Sequence, residues 1–104
     1  MMAGGSTVRH IYVTSGFRRA AKRAAKRDAA LADQILQTIA ILRSDMFAPP
    51  LRSHRLRGDL SGCWSCSVNY SLGIVFEVGE HKEIAGLYAE TIVLLTVGSH
   101  DEVY

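Results

Sequence analysis

Along this chain the apolar positions recur with a period of two, then of nearly four, then of two again. Val8 to Thr14 is short, β-branched and closed by Thr-Ser-Gly, which predicts a first strand. Thr14 or Ser15 can cap the next element. Phe17 to Lys26 is built of Ala, Arg and Lys, good helix formers, with Phe17, Ala20, Ala21, Ala24 and Ala25 in one stripe. Asp28 interrupts that run and can cap a second helix, whose stripe is Leu31, Ile35, Ile39 and Leu42. Spacings of four, four and three exclude a strand there. Pro49-Pro50 makes a stop after Phe47.

Beyond the prolines the period returns to two. Trp64, Cys66, Val68 and Tyr70 alternate with Ser65, Ser67 and Asn69, and Ile74, Phe76 and Val78 alternate with Val75 and Glu77. Two antiparallel strands joined near Ser71-Leu72 follow. Thr91 to Val97 is almost wholly apolar and reads as a central strand, while Ile84 to Glu90 has no clear period. The predicted fold is α+β: an N-terminal strand, an αα-hairpin, then an antiparallel sheet of three or so further strands with the helices on one face. Residues 8–104 form one domain without repeats or linkers, and 1–7 read as a disordered extension.

Composition narrows the function class. With 48% hydrophobic and 21% charged residues in 104, the chain can build a core. It lacks an apolar run of membrane length, and its start has no apolar signal-like region, so a cytoplasmic protein is expected. The net charge of +2 hides an asymmetry. Residues 1–57 hold eleven of the twelve Lys/Arg and three of the ten Asp/Glu, a balance of +8, against −6 for the remainder. A uniformly basic nucleic-acid coat is excluded; a basic face is not. Arg18, Arg19, Lys22, Arg23, Lys26 and Arg27 supply half of these cations on one helix, as a solvated face or as an electrostatic footprint for nucleic acid.

Cys63-Trp64-Ser65-Cys66 has C-x-x-C spacing, but it lies in period-two sequence. An offset of three on a strand sends the two thiols to opposite faces, and a second pair to complete a zinc site is missing. Buried strand cysteines are the expectation, with no metal or cofactor. His54 is different, because Arg52, Arg55 and Arg57 surround it. His100 follows the central strand through Gly98-Ser99. Internal RNA cleavage by the 2′-hydroxyl needs a base, an acid for the leaving 5′-oxygen, and a cation for the phosphorane charge. Two imidazoles and an arginine meet those needs.

Four segments in order behind the helical hairpin carry a family likeness: Leu51-Arg52-Ser53-His54-Arg55-Leu56-Arg57-Gly58, Trp64-Ser65-Cys66-Ser67-Val68, Ile74-Val75-Phe76-Glu77 and Val97-Gly98-Ser99-His100-Asp101-Glu102-Val103-Tyr104. From Ile11 to Tyr104 the chain resembles the RelE/ParE superfamily of type II toxins, and most its YafQ-like mRNA interferase branch. The resemblance implies ribosome-dependent mRNA cleavage and inhibition by a cognate antitoxin. It also implies that His54 and His100 form the proton-transfer pair, with neither role assigned between them. Arg52, Arg55 and Arg57 would grip phosphates, Tyr104 matches the terminal aromatic, and the helical cations would meet ribosome or antitoxin.

One departure stands out. Relatives commonly read Asp-Leu-Arg-Ile-Val-Phe where this chain reads Ser71-Leu72-Gly73-Ile74-Val75-Phe76. The resemblance thus implies a catalytic arginine at position 73, on the face opposite the core-facing Ile74 and Phe76, and a substrate-side acid at Ser71. Gly73 fits an inactivating substitution. Two alternatives share the pattern: a ParE-like toxin acting on DNA gyrase without nuclease chemistry, and a general basic RNA-binding module.

Overall fold

The computed structural model describes residues 9–79 and 91–99. Strand β1 (His10–Val13) leads into helices α1 (Ser15–Arg27) and α2 (Ala30–Ser44). A two-residue strand β2 (His54–Arg55) follows, then β3 (Trp64–Ser67), β4 (Leu72–Gly79) and β5 (Thr91–Ser99). The sheet order is β1-β5-β4-β3-β2, so β5 is central, as its unbroken apolar run predicts. The expected α+β layering holds, with one difference. β1 pairs with β5 in parallel, so the sheet is mixed rather than antiparallel throughout.

Thr14 is the residue that seats α1 on the sheet. Its Oγ1 accepts a hydrogen bond from the Phe17 amide at 3.1 Å and donates to the Leu94 carbonyl at 2.7 Å. One hydroxyl thus caps a helix and ties it to the central strand. Thr14→Ala is expected to lose about 1–2 kcal/mol, lowering Tm by roughly 5–10 °C in a thermal melt, with Thr14→Ser recovering most of it.

Phe17, Ala20 and Ala24 of α1 and Ile35 and Leu42 of α2 are buried against Ile74, Phe76, Ile92 and Leu94, whereas Ala21, Leu31 and Ile39 are half-buried at the margin. Asp28 accepts from the Ala30 amide at 3.0 Å, which starts α2. That helix ends at Ser44, three residues before the expected stop; Asp45 then accepts from the Phe47 amide, and Pro49-Pro50 opens a 3₁₀ turn.

The strand predicted through Val68 and Tyr70 ends at Ser67. Asn69 Oδ1 accepts from the amides of Ser71 and Leu72 at 2.8 and 2.9 Å, and its Nδ2 donates to Gln34 Oε1 at 2.7 Å. Such side-chain turns compete with the ladder. Tyr70 is therefore wholly exposed instead of facing the core.

Candidate functional site

His54 stands on the short edge strand β2, and the chain before it is held from two sides. Ser53 donates its hydroxyl to the Met46 carbonyl at 2.6 Å. Arg52 closes the 3₁₀ turn in the left-handed region, φ 51° and ψ 43°, the only non-glycine with positive φ among the described residues. A non-glycine residue there stores strain of order 1 kcal/mol or more. His54 Nδ1 lies 3.0 Å from the Arg52 carbonyl oxygen. A carbonyl only accepts, so Nδ1 carries the proton and the neutral ring has its lone pair on Nε2.

Strand register defines what shares the face of His54. Across the sheet it aligns with Ser65, then Val75, then Thr96. The next row toward the sheet end is Ser67, Gly73 and Gly98. Position 73 is thus on the same face as His54, two strands away. Ideal sheet spacings put their Cα atoms roughly 12 Å apart, a span that an arginine and an imidazole can bridge around a phosphate. Gly73 is extended, since the positive-φ glycines are Gly58, Gly62 and Gly79.

This face is less open than alternation alone suggests. A β-bulge between Val75 and Phe76 sets Leu95 and Thr96 opposite Val75. Val75 and Cys63 are buried there, with Leu56 and Leu95 packed against them, as a second small apolar cluster. Ser65 sits beside it, fully buried, with its Oγ unpaired.

The three arginines around His54 part company. Arg55 alternates to the other face, where its guanidinium stacks 5.1 Å from the centre of the Trp64 ring. Trp64 in turn meets Phe47 edge-on at 5.6 Å. The grouping of Arg55 with His54 is therefore not what the fold produces. Arg52 lines a cavity of about 340 Å³ with Pro50, Ser67, Val68, Asn69 and Tyr70, next to the Ser67–Gly73 row. Arg57 borders a separate depression of about 290 Å³ with His54, Arg55, Leu56 and Leu60. Ser71 is exposed at the hairpin turn, held by Asn69. His100, Tyr104 and the segment Ile84 to Glu90 lie outside the described residues.

Tyr70, which period counting placed toward the core, is exposed and lines the Arg52 cavity. The signal available was its neighbour Asn69, a turn former immediately before it.

The cysteines divide as expected, Cys66 into the main core and Cys63 into the second cluster. Both are free thiols. Burial pushes Cys66 up to about 12, and burial with the Glu77 carboxylate also raises Cys63. Thiolate chemistry near neutral pH is thus suppressed at both. Because the folded state holds the Cys66 proton more tightly than the unfolded value of 9.0, stability is full below pH 9 and falls as pH rises toward 12. At pH 10 the Cys66 share of the loss is on the order of 1 kcal/mol. Urea melts at pH 8 and 10 should show that decrement in the parent and not in Cys66→Ala.

Among the described residues no cluster of metal-ligating side chains occurs, and no helix is long and apolar enough to cross a membrane.

The architecture is a small mixed sheet with a helical hairpin on one face and an edge-strand histidine on the other. A YoeB/ParE toxin from Agrobacterium tumefaciens shares it with a TM-score of 0.68 at 18% identity, over 88% of this chain and 98% of that one. A variant of YafQ from E. coli does so with a TM-score of 0.68 at 16% identity, over 92% and 98%. The YafQ of the E. coli DinJ-YafQ complex matches with the same TM-score, identity and coverage. No curated protein sequence matches. The family model for the bacterial toxin of type II toxin-antitoxin systems, YafQ, covers residues 9–104, and the chain belongs to that family.

Proposed function

We propose that this toxin is a ribosome-dependent mRNA endoribonuclease working by acid–base chemistry, with its rate lowered by Gly73. The observation that carries the reading is His54, whose Nδ1 is committed to the Arg52 carbonyl so that Nε2 is the basic nitrogen. In the proposed step the 2′-oxygen of one nucleotide bonds to the adjacent phosphorus while the bond from phosphorus to the 5′-oxygen breaks. The 2′-hydroxyl proton goes to one imidazole, and the other imidazole protonates the leaving 5′-oxygen. His54 and His100 are that pair. The tautomer of His54 suits it to the role of base in its neutral form.

Charge on the phosphorane needs a cation, which relatives would place at position 73. Here Arg52, which lines a cavity with Ser67, the cross-strand neighbour of Gly73, would take part of that role. Arg57 borders the His54 depression and would contact the RNA backbone, as would Ser71 and Tyr104. The cations of α1 would serve a ribosome or a cognate antitoxin. The relative crystallised as a DinJ-YafQ complex supports an antitoxin partner for this chain.

The test is to add the Gly73→Arg protein to ribosomes programmed with a defined mRNA, beside naked mRNA and a gyrase supercoiling assay. Codon-phased cuts on ribosomes only are expected. Intact mRNA with blocked supercoiling would instead assign the gyrase activity.

A further inference from the structure

Tyr70 is the most exposed of the large hydrophobic side chains among the described residues, yet the backbone beneath it is tied down. Asn69 Oδ1 gathers the amides of Ser71 and Leu72, and the Val68 amide donates to the Leu72 carbonyl at 2.8 Å. Asn69 Nδ2 fastens the same turn to Gln34 of α2. The ring is thus presented to solvent on a fixed turn, so binding on it costs little ordering of the chain.

Beside the ring lies the cavity of about 340 Å³ that Tyr70 shares with Arg52 and Ser67. Arg52 is the one charged residue of that lining, and no carboxylate opposes it there. Its backbone is fixed as well, between the Ser53 hydroxyl on Met46 and its own carbonyl against the His54 ring. An aromatic face, a guanidinium and a serine hydroxyl around a space of this size suit an unpaired nucleobase and its phosphate.

The cavity sits at an open end of the sheet rather than behind it, because Asn69 and Tyr70 belong to the turn that follows β3. Ser65 pairs with His54, and Ser67, two residues on, lies on the same face. Ser67 is also the cross-strand partner of Gly73. Ideal sheet spacings put the Cα atoms of Ser67 and His54 roughly 8 Å apart. The cavity and the histidine are therefore neighbours along one surface.

We propose that Tyr70 is a base-stacking residue: it holds one unpaired base of single-stranded RNA in this cavity while the sugar–phosphate chain runs past Arg52 toward His54. That the held base adjoins the scissile phosphate rests on the nuclease reading; the stacking site itself rests on the ring and its cavity. Tyr70 is a binding residue and takes no part in proton transfer.

The test titrates the full chain and its Tyr70→Ala, Tyr70→Trp and Arg52→Ala variants against two fluorescein-labelled probes over a range of salt. One is a single-stranded RNA dodecamer, the other the same sugar–phosphate chain with every base removed. Tyr70→Ala should weaken the dodecamer Kd by about tenfold, and Tyr70→Trp should stay within about threefold of the parent. On the baseless chain Tyr70→Ala should bind as the parent does. Arg52→Ala should weaken both probes and make the log–log salt slope shallower by about 0.7, whereas Tyr70→Ala leaves the slope unchanged. Since the ring is wholly exposed, Tyr70→Ala should melt with the parent. Equal losses on the two probes, an unchanged dodecamer Kd in Tyr70→Ala, or no measurable binding of the dodecamer by the parent would overturn the proposal. Every readout is equilibrium binding, so a Gly73→Arg protein that fails to cut would sink the nuclease reading and leave the stacking result standing.

Discussion

Gly73→Arg should raise cleavage of ribosome-bound mRNA by about a hundredfold or more. That is the usual rate cost of losing one donor that stabilises developing oxyanion charge. Gly73 is extended within β4, so an L side chain meets no positive-φ penalty there, although the position itself is buried. Its cross-strand neighbours on that face are Ser67 and Gly98, both small. A glycine inside a strand also weakens the ladder, so the added side chain offsets part of the cost of entering a buried position, and a thermal melt of the variant accompanies the assay. Single-turnover cleavage on programmed ribosomes, measured with the antitoxin absent, gives the rate ratio. Gly73→Lys should recover only part of the gain, since an ammonium cannot present the bidentate fork that a phosphate accepts. A Gly73→Arg protein as slow as the parent would remove the explanation offered for the departure from the family pattern.

His54→Ala in the Gly73→Arg background is expected to lower the cleavage rate by about 10²- to 10⁴-fold while leaving RNA affinity near the parent value. His54 is half-buried on a two-residue edge strand, so its removal opens no core cavity. The substitution removes the contact between the imidazole and the Arg52 carbonyl and leaves the left-handed cap of the 3₁₀ turn in place. A pH–rate profile separates a catalytic from a positioning role. A base at His54 gives a rising acid limb that His54→Ala abolishes. If that limb survives, His54 is not the proton acceptor.

The helices and the central strand were legible because their apolar periods are unmixed: Leu31, Ile35, Ile39 and Leu42 cannot lie on one face of a strand, and β5 is apolar on both. The parallel pairing of β1 was not legible, since strand direction depends on which tertiary neighbour the strand finds. Tyr70 looked core-facing because counting by twos cannot see that Asn69 diverts two backbone amides into a turn. Val75 looked substrate-facing because the bulge beside it, which gathers Leu56, Cys63 and Leu95 into a second cluster, leaves no mark on the apolar pattern. The register places His54 and position 73 on one face. Arg55 lies on the other face, where strand alternation and the Trp64 ring outweigh adjacency in sequence.

The measurement that bears most directly on the account is the chemistry of the RNA ends left by the Gly73→Arg protein. Message recovered from stalled ribosomes should be cut in phase with codons, leaving 2′,3′-cyclic phosphate on the upstream fragment and a 5′-hydroxyl on the downstream one. Those ends are the product of attack by the 2′-hydroxyl with an acid at the leaving 5′-oxygen. Cuts bearing 5′-phosphate and 3′-hydroxyl ends, or no cuts at all, would contradict it.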